Sequence, residues 1–362
     1  MRLGVEAAVV DGVLVPGDVD VADGRVAAVG LGPPGRGTAA PGFIDVHIHG
    51  FGGVDFSAAD LDGYRRAGQA LLEHGVTAFR PTFVTAPEEE LVASLHAAPR
   101  GDVGPRVLGC HLEGPFISPL RVGMHPAAAR RDPDADLLAR LLAAGPVAHV
   151  TLAPELEGAL ALVDFLVARG IVVSCGHTDA TARQAHAAFD RGATCVTHLF
   201  NAMRPFAHRD PGMAGAALAR DDVVVELILD GNHLADETVR LAWNAAAGRV
   251  SLVTDALQAA GVGDGRWQLG AVEVEVRDGV ARTLDGVLAG SVATIAEEIR
   301  CLMRAGARLE EAVDAATRVP ARVARRPDLG TLAPGAVADV VVIDDAVEVR
   351  RVLVAGAERV AA

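Results

Sequence analysis

Pro41-Gly42-Phe43-Ile44-Asp45-Val46-His47-Ile48-His49 is an apolar run closed by two histidines one residue apart. In an extended chain, positions i and i+2 project to the same side, so both imidazoles can converge on one ion. Two satisfied histidines at a strand end are the ordinary alternative, and the rest of the chain decides between these readings. Between residues 43 and 255, short β-branched runs alternate with Ala/Leu/Arg-rich helical stretches, the pattern of a parallel sheet. The strands are expected at 43-47, 76-82, 106-112, 147-152, 171-175, 193-198, 223-229 and 250-254. Eight parallel strands with helices between them make a (β/α)8 TIM-type barrel, of the α/β class. A doubly wound sheet has the same alternation, but no glycine fingerprint follows the first strand.

Outside that span the texture changes. Residues 1-40 and 330-360 are both strand-and-turn sequence, so the two chain ends are expected to pair into a small β-sandwich-like domain. The division is 1-41 plus 328-362 for the small domain and 42-327 for the barrel. The segment 267-286 alternates with period two and carries an Asp-Gly turn signal, which predicts a β-hairpin inserted after the eighth strand. Helical sequence resumes at 291-318.

Glu113 in CHLEGPF, His177 in VSCGHTDA, His198 in CVTHLFNAM and Asp255 in LVTDA all stand at the ends of expected strands. A barrel gathers the C-terminal ends of its strands on one face, where barrel enzymes place their chemistry. So many histidines and carboxylates at one level point to a metal-binding or catalytic site and not to separate structural histidines. His74, His96 and His186 fall on helical sequence and are expected at the surface. His111 and Cys175 precede Glu113 and His177 by two residues, and packing explains them without a ligand role. His149 and His208 are left unassigned.

The 362 residues carry 33 Lys+Arg against 47 Asp+Glu, a net charge of −14, which argues against nucleic acid or an anionic membrane as partner. Every one of the 33 cations is arginine, so no Schiff-base lysine and no carboxylated-lysine metal bridge is available. Four cysteines without C-x-x-C spacing, and no export or membrane-spanning segment, lead us to expect a cytoplasmic protein with reduced thiols.

PGFIDVHIHG, HLEGPF, RVGMHP, GHTDA, THLFNAM with RDPG after it, DGNH, LVTDA, LAGS and GTLAPGAVADVVV occur in this order. Together they resemble the amidohydrolase superfamily and, within it, the N-acetylglucosamine-6-phosphate deacetylase family, over nearly the whole chain. The resemblance implies metal-dependent hydrolysis of N-acetyl-D-glucosamine 6-phosphate to D-glucosamine 6-phosphate and acetate, in amino-sugar catabolism or recycling. It implies Glu113, His177 and His198 as main metal ligands, with His47 and His49 able to support a second ion and Glu113 as the bridge. Asp255 would be the catalytic acid/base, and His125 would polarise the acetyl carbonyl. Met124, His125, Asn201, Ala202, Arg209, His233, Leu288, Ala289 and Gly290 would bind the sugar phosphate. The resemblance also implies a homodimer in which Arg209 reaches across the interface. The cofactor is expected to be one or two divalent ions per subunit, zinc first, with iron, manganese and cobalt also compatible with the ligands. The alternatives are another amidohydrolase, acting on the galactosamine epimer, a cyclic amide, an N-acyl amino acid or a nucleobase, and a non-catalytic barrel scaffold. Competent residues at every matching position argue against the scaffold.

Overall fold

The computed structural model describes residues 1–361. Eight parallel strands wind around one axis: β1 (Phe43–Ile48), β2 (Val76–Val84), β3 (Cys110–Glu113), β4 (Val147–Leu152), β5 (Val172–Cys175), β6 (Cys195–Val196), β7 (Val224–Leu227) and β8 (Val250–Leu252). Each pairs in parallel with the next from β1 through β8. Between β8 and β1 the barrel is closed by single hydrogen bonds. Asp255 N donates to His47 O at 3.0 Å and His49 N to Ala256 O at 2.8 Å. Thr254 Oγ1 donates to Asp45 Oδ2 at 2.6 Å across the same seam.

The helices between strands carry the apolar stripe and end signals that place them outside the barrel. Leu61–Glu73 starts at Asp60, whose carboxylate accepts from Gly63 N at 2.7 Å, and buries Tyr64, Ala67, Leu71 and Leu72. Ala182–Phe189 and Ile295–Arg304 begin with capping boxes, Thr181 with Gln184 and Thr294 with Glu297.

Barrel interiors are ordinarily filled by branched apolar side chains. This one is largely polar. His111 Nε2 lies 2.7 Å from Thr151 Oγ1, and Thr151 Oγ1 lies 2.7 Å from Thr197 Oγ1. Thr151 stands on β4 and Thr197 just beyond β6, so the contact passes β5 through the interior. His149 bonds Ser174 Oγ at 2.7 Å. Every one of these groups is buried, and the bonds among them offset the cost of taking polar atoms out of water.

The chain ends form a six-stranded sheet in the order Val13–Pro16, Ala7–Val10, Thr38–Pro41, Val340–Ile343, Val349–Val354, Ala357–Ala361. Thr38–Pro41 joins the two ends, pairing antiparallel with Val340–Ile343, and leads directly into β1. A two-stranded ribbon, Asp18–Ala22 with Arg25–Leu31, shares a core with this sheet through Val5, Val19, Val21, Val26, Val340 and Leu353. Arg106 holds Asp339 with two bonds of 2.7 and 3.0 Å, tying the barrel to this sheet.

Two expectations need correction. The strand expected at 106-112 is broken: Arg106–Val107 pairs with β2, and β3 resumes at Cys110. Gly109 makes the break, with φ +75° and its backbone so close that a Cβ would lie 2.8 Å from Pro146 O. The hairpin expected at 267-286 is a three-stranded antiparallel meander, Gly265–Leu269, Val272–Arg277 and Val280–Thr283. Its second turn is the anticipated Asp278-Gly279, whose amides donate to Asp264 at 2.7 and 3.0 Å. Its first turn, at Gly270-Ala271, falls where the apolar positions switch from odd (Trp267, Leu269) to even (Val272, Val274, Val276), a phase change that a single hairpin does not account for.

Candidate active site and metal centre

Six side chains converge at the C-terminal mouth of the barrel, all of them buried: His47, His49, Glu113, His177, His198 and Asp255. His177, His198 and Asp255 follow their strands by two or three residues and have positive φ, 46°, 29° and 48°. The left-handed region costs a non-glycine residue on the order of 1–3 kcal/mol and persists where the surroundings over-determine it, often at functional sites. In this chain it recurs at Phe200 (75°) and Ala202 (47°), beside His198.

The partner of Nδ1 decides the orientation of the His49 and His177 rings, whereas His198 Nδ1 is buried without one. His49 Nδ1 lies 3.1 Å from Thr82 O and His177 Nδ1 lies 2.9 Å from Arg121 O. A carbonyl only accepts, so each Nδ1 carries the proton and each Nε2 of a neutral ring presents a lone pair. Those lone pairs face carboxylate oxygens: His49 Nε2 is 2.8 Å from Asp255 Oδ1, and His177 Nε2 is 3.0 Å from Glu113 Oε1. His198 Nε2 lies 2.9 Å from the same Glu113 oxygen and 3.2 Å from His177 Nε2. Lone pairs crowded on lone pairs repel unless a cation or a proton lies among them. His47 Nε2, fully buried without a hydrogen-bond partner, adds a further inward donor. Imidazole nitrogens with carboxylate oxygens are the donor set of zinc and its first-row neighbours, so the residues fit a divalent metal.

His125 is the exception. Its Nδ1 accepts from Thr85 N at 3.2 Å, which puts the proton on Nε2, 3.2 Å from Glu113 Oε2. Its inward group is therefore a hydrogen-bond donor, although its position groups it with Glu113 and His177 as a cluster of metal-binding type. The other such cluster is His47, His49 and Asp255.

Charge tunes these groups. Burial pushes Asp255 up, but His47 and His49, when a proton sits on their inward nitrogens, outweigh it and hold the carboxyl at about 2. Glu113 is likewise held well below the usual carboxylate range when His47, His125 and His177 carry the charge that overcomes its burial. His125 is pushed down to about 4 by burial and by His177 beside it, so the ring is neutral at ordinary pH.

The cleft above the cluster is lined by His49, Glu113, His125, His177, His198 and Asp255, together with Met124, Asn201, Ala202, His233, Leu288 and Gly290 from the sugar-phosphate set. Ala289 is fully buried and does not line the cleft, and Arg209 is exposed outside it. Sequence reading missed Leu269 and Val287, brought to the cleft by the meander. It also missed Glu226, which stands 3.2 Å from His47 Nδ1. A lone acid inside the apolar run VVVELIL was the available signal. His111 and His149 lie in the barrel interior, bonded to Thr151 and Ser174, and take no place in the cluster.

A barrel with a histidine-carboxylate cluster at its strand ends defines a class, and comparison with known proteins agrees. The chain belongs to the amidohydrolase family, whose profile matches residues 38–358. It is 44% identical over 336 residues to the human N-acetylglucosamine-6-phosphate deacetylase, covering 88% of this chain and 82% of the human one. A Mycobacterium smegmatis N-acetyl-D-glucosamine-6-phosphate deacetylase variant, solved in complex with N-acetyl-D-glucosamine-6-phosphate, superposes with a TM-score of 0.95. That chain is 40% identical, with 99% of each chain covered. An Escherichia coli O157:H7 N-acetylgalactosamine-6-phosphate deacetylase is 37% identical over 349 residues, 93% of each chain.

Proposed function

We propose that this chain hydrolyses N-acetyl-D-glucosamine 6-phosphate to D-glucosamine 6-phosphate and acetate. The observation that carries the chemistry is the orientation of the rings: lone pairs of His49 and His177 turned inward on Glu113 and Asp255, and one donor, His125, turned in beside them. Glu113, His177 and His198 would hold the main ion, and His47 and His49 with Asp255 would hold a second one. We assign zinc as the first candidate. A divalent ion, when bound, lowers the pKa of water to ~7 and supplies hydroxide at neutral pH.

An acetamide is a poor electrophile with a poor leaving group, so the protein must stabilise an oxyanion and return a proton to nitrogen. His125 Nε2–H is directed to meet the acetyl oxygen as charge develops on it. Asp255, ionised and at the mouth of the barrel, takes the proton of the attacking water and delivers it to the departing amine. The 6-phosphate is assigned to His233 and Arg209. His233 Nδ1 lies 2.8 Å from Asp230 Oδ2. Burial lowers its pKa, but Asp230 outweighs burial and raises it overall, which favours the imidazolium. Because Arg209 lies outside the cleft of its own chain, we assign it to the site of a second copy, as a homodimer would allow.

The test compares kcat/KM for N-acetylglucosamine with and without the 6-phosphate in wild type and Arg209→Ala, with N-acetylgalactosamine 6-phosphate as the epimer control. Two charge-assisted contacts at roughly 1.5–3 kcal/mol each give a preference of 10²-fold or more for the phosphorylated sugar. Arg209→Ala should erode that preference and leave the plain sugar nearly unchanged. Equal turnover of both sugars by wild type refutes the substrate assignment.

A further inference from the structure

His47 is held between two sets of acids. On one side its Nε2 lies 3.6 Å from Glu113 Oε2 and 3.4 Å from Asp255 Oδ1. On the other its Nδ1 lies 3.2 Å from Glu226 Oε2. Glu226 belongs to β7 and His47 to β1, so the contact runs through the barrel interior, past β8. Both side chains are completely buried. A carboxylate in such a place costs several kcal/mol of desolvation unless something needs its charge.

Two groups compete as the reason. Arg80 is also fully buried, but no Arg80–Glu226 ion pair within 4 Å forms among the described residues. The bond Arg80 does make is from Nε to Leu108 O at 3.1 Å, and its Nη1 has no partner. The close partners of Glu226 are His47 and, at 3.7 Å from its other oxygen, the Cys195 thiol. His47 differs here from its neighbours. His49 and His177 commit Nδ1 to backbone carbonyls, which are neutral acceptors, whereas His47 commits it to a carboxylate.

We infer that Glu226 is a positioning residue for metal capture by His47: it accepts the Nδ1 proton, fixes the tautomer that turns the Nε2 lone pair into the cluster, and strengthens that nitrogen as a donor. The inference rests on the metal reading above and adds an asymmetry to it. The His47/His49/Asp255 half depends on Glu226, while the Glu113/His177/His198 half does not.

The experiment is a zinc titration of metal-stripped protein by calorimetry, with bound metal counted by elemental analysis. Wild type, Glu226→Gln, His47→Gln and the double variant are compared. Glu226→Gln keeps the shape and removes the charge, so zinc at one of two sites should weaken 10- to 100-fold with the other unchanged. Added to His47→Gln, it should cause no further loss, because its action passes through that ring. A purely structural role, as distant counter-charge to Arg80, lowers Tm but leaves both zinc affinities alone, and that result overturns the inference. So does a single zinc site insensitive to Glu226→Gln. Should Glu226→Gln fail to fold, Glu226→Asp keeps the charge but shortens the reach to His47; it should weaken the same zinc site, and an unchanged affinity overturns the inference. Wild-type protein that takes up no zinc, manganese, iron or cobalt refutes the metal reading itself, an outcome distinct from an unaffected variant.

Discussion

Truncating His125 separates the donor role from a ligand role at the one imidazole whose geometry points both ways. In His125→Ala the Nε2–H facing Glu113 and the cleft is lost, and Thr85 N loses the acceptor it holds at 3.2 Å. These losses fall on different quantities. Removing one oxyanion donor costs about 2.7–4 kcal/mol of transition-state stabilisation. At about 1.36 kcal/mol per tenfold, that is a fall of roughly 10²- to 10³-fold in kcat. The stranded amide costs about 1–3 kcal/mol, but in folding stability and not in rate. Acetate release at saturating substrate, thermal melting and metal content are measured on the same preparations. The expected pattern is a large loss of kcat, a modest loss of Tm and full metal content. Because His125 is held at about 4, its ring stays neutral through the working range, so the wild-type to variant ratio should be flat from about pH 5.5 to 8. His125→Gln, whose amide can accept from Thr85 and donate into the cleft, should recover part of the rate. If the alanine variant loses metal and its kcat per bound ion is normal, His125 is a ligand and the donor argument is wrong.

Asp255→Asn should retain metal and substrate while kcat falls by on the order of 10²-fold or more, read by single-turnover kinetics with direct substrate titration; near-normal kcat would move proton transfer to another group. Chelation should abolish activity and a divalent ion restore it, with Glu113→Gln more damaging than His47→Asn because Glu113 touches both histidine sets; full activity of metal-free protein would contradict this. In the terminal domain, Asp18 Oδ1 accepts from the amides of Gly4, Val5 and Val19 at 2.8, 3.0 and 2.8 Å, so Asp18→Ala should cost about 2–4 kcal/mol by denaturant melts. Burial pushes Asp18 up, but those amides and Arg2 pull harder and lower it. Its contribution is therefore present above the unfolded carboxylate value and lost as pH falls through the lower folded value, and a wild-type to alanine difference that grows toward acid would refute the sign.

How much of this was legible in the chain follows from what a local pattern encodes. Apolar runs broken by helical stretches located β1 at 43-47 against an observed Phe43–Ile48, and β4 at 147-152 as observed. Once eight such runs imply a barrel, every strand end falls on one face, and the histidines and acids written there are brought together by topology alone. Period-two alternation says which face a residue takes but not which residue it meets. The meander shows this, since the phase of its alternation flips at Gly270-Ala271, which marks a change of face but not the strand that comes to lie alongside. The same limit hid Glu226, whose partner His47 lies 179 positions away and passes an intervening strand. The proton position on each ring was beyond the sequence for the same reason. His125 and His177 are the same residue type, and only the backbone group packed against Nδ1, an amide for one and a carbonyl for the other, makes the first a donor and the second a lone pair. The sequence by itself determined which chemistry was collected at the barrel mouth. Tertiary structure decided how each group is charged and aimed, because those properties are set by neighbours that no local stretch contains.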